Sequence, residues 1–205
     1  MQLSETVKLY LTKTERFLVI QTMDEYIKTV NGLVAQANDG IDISRFTSKT
    51  VKANLQSSVK SQGIRDAKSI LAKHKKALWK FSAINKKLEK HGKSTLTKEP
   101  KCPVLRKPCC YINNQNFKIK GNRLEFPVMV NGRSKRLSVK TKMTDRQKTL
   151  FSNSPKLGTL RIVYKGNKIV AQVVYEAPIP SVSTGTNEMG VDLGIKCPAV
   201  SYTSD

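Results

Sequence analysis

Between residues 109 and 175 the chain breaks into short β-prone runs separated by hairpin turns. That pattern restricts the possible folds more than any other feature of the sequence. Cys109-Cys110-Tyr111-Ile112, residues 117–120, 123–130, 136–140, 160–164 and 169–175 are six candidate strands rich in Val, Ile, Phe and Tyr. Gly121-Asn122, Asn131-Gly132 and Lys165-Gly166-Asn167-Lys168 place glycine or asparagine where a tight hairpin needs positive φ. An antiparallel sheet closed into a small barrel is the economical architecture.

The residues before this region have a different period. Thr6-Val7-Lys8-Leu9-Tyr10-Leu11 alternates polar with apolar residues and predicts one strand with a solvated face. Thr12 or Thr14 can then cap a helix whose apolar stripe runs through Ile20, Met23, Ile27, Val30, Val34 and Ala37 and ends at Asn38-Asp39-Gly40. A second helical stretch is expected from Ser48 through Val51, Leu55, Val59, Ile64, Ala67, Ile70 and Leu78, either kinked or split at Gly63. Trp79 and Phe81 are expected in the core. His74 and His91 are expected on the surface, and residues 91–100 read as a polar linker. Residues 178–186, with two prolines and small polar residues, read as a second, extended linker.

Charge narrows the choice of partner. The chain of 205 residues carries a net charge of +22, a field that attracts polyanions. Residues 1–45 hold six acids and five bases, whereas the remaining 160 hold nine acids against thirty-two bases. The cationic surface is therefore expected after the first helix. Lys73, Lys75, Lys76, Lys80, Lys86 and Lys87 crowd the end of the second helical stretch with almost no acids beside them. Lys118, Lys120, Arg133, Lys135, Arg136, Lys140 and Lys142 occupy polar positions of the predicted barrel. Each cation that neutralises a phosphate releases a counterion, so these thirteen residues are the candidate nucleic-acid ligands. No apolar run suits a membrane span and no secretory leader is evident, so a cytoplasmic protein without a membrane partner is expected. The spacing of Cys102, Cys109, Cys110 and Cys197 fits neither a disulfide framework nor a zinc knuckle, leaving them as reduced structural side chains.

Near the C-terminus, Met189-Gly190-Val191-Asp192-Leu193-Gly194-Ile195-Lys196 precedes Cys197-Pro198-Ala199-Val200. A carboxylate between two glycines in a β-prone run lets a divalent cation and a phosphate approach the backbone. The same five residues also suit a strand entering a hairpin with Asp192 in the turn, or the phosphate strand of an actin-like ATPase. The longer string, following a basic helical region and a β-rich one, resembles the first RuvC motif of the TnpB (OrfB) family. These are transposon-encoded, RNA-guided DNA endonucleases related to type V CRISPR effectors.

That resemblance implies an α+β fold in which a helical recognition domain is inserted into a small antiparallel wedge barrel, followed by the first strand of an incomplete RNase-H-like RuvC domain. The expected divisions are residues 1–12 as first barrel strand, 13–95 as recognition domain, 96–180 as wedge domain and 181–205 as linker and start of the nuclease domain. The opening strand should then pair with strands beyond residue 100. Guide RNA and target DNA are the implied partners. Asp192 is the implied catalytic and metal-binding residue, with Mg²⁺ as cofactor in a complete relative. With this one catalytic carboxylate the chain is expected to hold nucleic acid without cutting it or stably binding Mg²⁺, and its last strand to be frayed or wrongly packed. The alternative is a stand-alone basic RNA-binding module with no nuclease ancestry.

Overall fold

The computed structural model describes residues 1–177 and the strands Met189–Asp192 and Val200–Thr203. In chain order the elements are β1 (Gln2–Tyr10), α1 (Lys13–Asn38), α2 (Ser57–Lys90), β2 (Cys109–Ile112), β3 (Lys118–Lys120), β4 (Arg123–Val130), β5 (Arg133–Lys142), α3 (Asp145–Asn153), β6 (Leu157–Lys165), β7 (Lys168–Glu176), β8 (Met189–Asp192) and β9 (Val200–Thr203). Seven strands form one antiparallel sheet in the order β2-β6-β7-β1-β5-β4-β3. The fold is thus α+β, built on a curled antiparallel sheet. β1 lies at its centre, paired with β7 on one side and β5 on the other, so the opening strand does pair beyond residue 100.

All six expected strands form. At the Asn131-Gly132 turn, as at Gly166-Asn167, both residues have positive φ (50° and 74° at the former, 50° and 57° at the latter). This is the type I′ geometry whose twist matches the flanking strands. The former turn sets β5 residue for residue against β4, from Val130↔Arg133 to Arg123↔Lys140. Pro127 is tolerated inside β4 because β3 pairs only with residues 123–125, leaving the strand without a second partner at the proline.

The sheet does not close through its own hydrogen bonds, since β2 and β3 stand at its two ends. α1 instead contacts both β2 and β4. Helices and sheet share one hydrophobic cluster in which Val19, Met23, Tyr26 and Val30 of α1 meet Val59 and Ile64 of α2 and the strand residues Cys110, Ile112, Leu124, Phe126, Leu160 and Ile162. α1 starts in a capping box: the Thr12 hydroxyl accepts from the Glu15 amide while the Glu15 carboxylate accepts from the Thr12 amide. Its buried stripe includes Val19, Tyr26 and Leu33, which lie outside the expected series, whereas Ile27 is only half-buried.

The second helix departs from expectation in two ways. It begins at Ser57 with Gln56 as N-cap, and residues 44–56 form turns instead. The Thr50 hydroxyl bonds both the amide and the carbonyl of Thr47, and the Asn54 amide donates to Glu25. Local side-chain bonds of this kind compete with helix, and this stretch is rich in Ser and Thr. The helix then runs unbroken for 34 residues through Gly63. A Cβ there would lie 3.5 Å from Val30 and 3.7 Å from Tyr26, ordinary van der Waals distances, so the crossing with α1 has room for an alanine and the glycine is simply tolerated in a packed helix.

Residues 91–100 are more than a linker, because the chain turns back along α2. Asn85 exchanges two hydrogen bonds with the Leu96 backbone (3.0 and 2.8 Å), and His74 Nε2 lies 3.0 Å from the Pro100 carbonyl oxygen. Asn31 then anchors the Leu105 backbone in the same two-bond manner. α3 has no counterpart among the expected elements. Its Thr144–Gln147 capping box and Gln147, which donates to Glu5 and to the Thr6 carbonyl, fix it against β1, while Phe151 packs edge-on to Tyr175.

β8, the strand carrying Asp192, has a partner: it pairs antiparallel with β9 from Met189↔Thr203 to Asp192↔Val200, as a two-stranded ladder separate from the seven-stranded sheet. Backbone pairing with a following segment satisfies the groups that a lone strand would leave open. The second linker, residues 178–186, lies outside the described residues.

Candidate nucleic-acid interface

The pairing register converts the alternating cations of four strands into rows. Lys120, Arg123, Lys140 and Tyr10 lie side by side across β3, β4, β5 and β1, and Lys142 stands directly opposite Lys8 in the next row. All six side chains are exposed. Three of these cross-strand pairs, Lys8↔Lys142, Arg123↔Lys140 and Lys120↔Arg123, oppose like charges. Such pairs each destabilise a sheet by a few tenths to about 1 kcal/mol. The one acid on this stretch, Glu125, holds Lys120 at 3.3 Å. Arg123 is oriented by Ser138, donating from Nε to the hydroxyl at 2.9 Å and from Nη2 to the carbonyl at 2.7 Å. Lys8 lies 5.7 Å over the Tyr10 ring, and Tyr10, Arg123 and Lys140 line a cavity of about 350 Å³ beside Thr12 and Glu15.

Of the cations expected from the sequence, Lys118, Lys120, Arg136, Lys140 and Lys142 share this outer face by strand alternation. Arg133 and Lys135 fall on the other face of β5, exposed near the Asn131-Gly132 tip. Lys8, Tyr10 and Arg123 were not among the expected ligands. Only the register, which sets Lys8 opposite Lys142, reveals them. Arg161, a further strand cation, is half-buried, 5.5 Å from the Tyr111 ring, and donates to Gln172.

Lys73, Lys75, Lys76, Lys80, Lys86 and Lys87 are on α2, all exposed. The last buried residue of this helix is Ala67, so the segment beyond it projects from the core. At about 100° per residue these six lysines and Lys90 fall within an arc of about 160°. His74, Leu78 and Asn85 lie outside that arc, on the side taken by the returning chain. Trp79 does not join the core as expected. It is 69 % exposed and sits inside the lysine arc, whereas Phe81 turns toward the covered side and is half-buried.

A polar cluster fixes α1 and α2 against the sheet below this projection. The Tyr26 hydroxyl donates to Asp66 at 2.8 Å, and Tyr26 lies 6.2 Å from Tyr111. Burial pushes the Asp66 carboxyl above its ordinary range, outweighing the opposing pull of the Tyr26 bond and of Arg161. Burial likewise pushes up the Cys109 and Cys110 thiols, which keeps them unreactive, and both pack as small apolar groups on opposite faces of β2.

Among the described residues no three His, Cys, Asp or Glu side chains gather as a metal ion requires, and the Asp192 side chain lies outside those residues. None of the described helices is long and apolar enough to cross a membrane. In comparison with known proteins, no family model matches the chain, and no curated protein matches it either.

Proposed function

We propose that this chain binds nucleic acid through the outer face of β1, β5, β4 and β3 and through the lysine arc of α2, as the RNA- and DNA-holding part of a TnpB-like RNA-guided endonuclease. The observation that carries the binding reading is the set of like-charge pairs held in register on one sheet face. A phosphate chain laid across the rows would relieve that repulsion and release counterions. The family reading is supported by the TnpB-like string around Asp192 and by the order of elements, in which two long helices interrupt a sheet between its central strand and its remaining strands. Asp192 would then supply one carboxylate of a Mg²⁺ site.

The test is filter binding of a structured RNA and of a DNA duplex from 50 to 500 mM salt. A log–log plot falling with a slope of several units is expected. An affinity that is flat with salt, or absent at 50 mM, refutes the proposal.

A further inference from the structure

Trp79 is the only tryptophan of the chain and its most exposed large apolar side chain among the described residues. Phe17 and Val104 are exposed nearly as much, so exposure alone is no signal; what sets the indole apart is its neighbours. Lys75 and Lys76 precede it by one helical turn, Lys80 adjoins it, and Lys86 and Lys87 follow two turns on. The lone acid of this helix segment, Glu89, falls outside the arc. A protein partner with an acidic surface would need only the lysines. A partner with both a phosphate chain and flat apolar faces uses the lysines and the indole together.

We infer that Trp79 is a stacking platform for an unpaired base, with the flanking lysines following the phosphates of a single-stranded nucleic-acid segment along α2. This rests on the nucleic-acid reading above and goes further, because a base inside a duplex has no free face to offer. Stacking of a base on an aromatic ring tolerates any sequence. The site therefore selects strandedness, not sequence. The side chain packs on nothing in the core, so its replacement leaves folding intact.

Because there is one tryptophan, its emission reports this position alone. The full chain is titrated with a twelve-nucleotide oligo-uridylate, a duplex of equal length, inorganic polyphosphate and anionic phospholipid vesicles, while anisotropy of labelled RNA follows binding separately. Quenching by the single strand, with little change on adding duplex or polyphosphate, is expected. Trp79→Ala should weaken single-strand binding about five- to a hundredfold and leave duplex and polyphosphate binding unchanged, and Trp79→Phe should restore part of the loss. Strong RNA binding with unaltered emission overturns the stacking inference and leaves the binding proposal standing. No RNA binding overturns both. Equal quenching by polyphosphate, or a blue shift on vesicles with no response to RNA, overturns the stacking inference in favour of charge alone or of a lipid surface.

Discussion

Replacing Lys8, Lys140 and Lys142 together by glutamine should move binding and stability in opposite directions. Each is exposed, and none of the three forms an ion pair among the described residues. If each neutralises one phosphate of a single strand, the salt slope should become shallower by about 0.7 per residue, or about two units in total. Between 50 and 200 mM salt this amounts to a roughly twentyfold smaller fall in affinity, with the loss of binding largest at the lowest salt. Removing the Lys8↔Lys142 opposition also relieves a repulsive cross-strand pair, which should raise stability by about 0.2–1 kcal/mol. The assays are filter binding over a salt series and urea unfolding followed by far-ultraviolet circular dichroism. A variant that keeps the wild-type slope, or that loses stability, would mean that these lysines support the sheet and do not serve a ligand. Lys120→Gln offers an internal comparison, since Glu125 already occupies that ammonium and the slope should change less.

Three further outcomes follow from packing and titration. Gly158→Ala should cost about 1–3 kcal/mol in urea unfolding, because its Cβ would lie 2.8 Å from Val174 Cγ1 at the register shift between β6 and β7, and Val174→Ala should recover much of that loss. Asp66 has a raised folded pKa, so its ionisation opposes folding: the penalty is absent below the ordinary carboxyl value of 3.8 and grows as pH rises through the raised one. The stability of Asp66→Asn relative to wild type should therefore increase from pH 4 upward, and a difference that stays flat or falls over that range contradicts the assignment. Asn85→Ala should free the returning chain from α2, seen as faster hydrogen exchange at the Leu96 amide with little change in global stability.

Local chemistry made the sheet legible. Alternation and positive-φ turns such as Asn131-Gly132 decide strand and hairpin within a few residues, and they marked all six strands between β2 and β7. Val51 and Leu55 are apolar at helical spacing and so suggest an earlier start for α2, yet both are buried from the turn and bend that precede it. Periodicity reports burial and not backbone shape. α3 leaves no periodic mark in the sequence, because its nine residues carry one buried side chain, Phe151. At the candidate interface the cations were visible as cations, but which of them stand together depends on register across strands far apart in sequence. Lys8 and Lys142 are 134 positions apart and become neighbours only in the finished sheet. Residue type alone places the tryptophan in the core. Its environment was set by the chain turning back along one side of α2, which nothing local to Trp79 foretells.

The central place of β1 has a consequence for synthesis. Its first hydrogen-bonded partners are supplied by β5, and its longer ladder, from Gln2↔Glu176 to Lys8↔Val170, waits for the last strand of the sheet. At about 5–20 residues per second, roughly ten to thirty seconds of elongation separate the emergence of β1 from that of β7. During that interval α1 and α2 can pair with each other, but the strand that precedes them stays open on both edges until β5 emerges, and on the β7 edge until the end. The Met1 ammonium donates to the Ala177 carbonyl at 2.7 Å, at the end of this ladder. A ribosome-bound chain arrested before residue 170 should therefore expose β1 to proteolysis while its helices are already protected, and release from that state should be the slow step of folding.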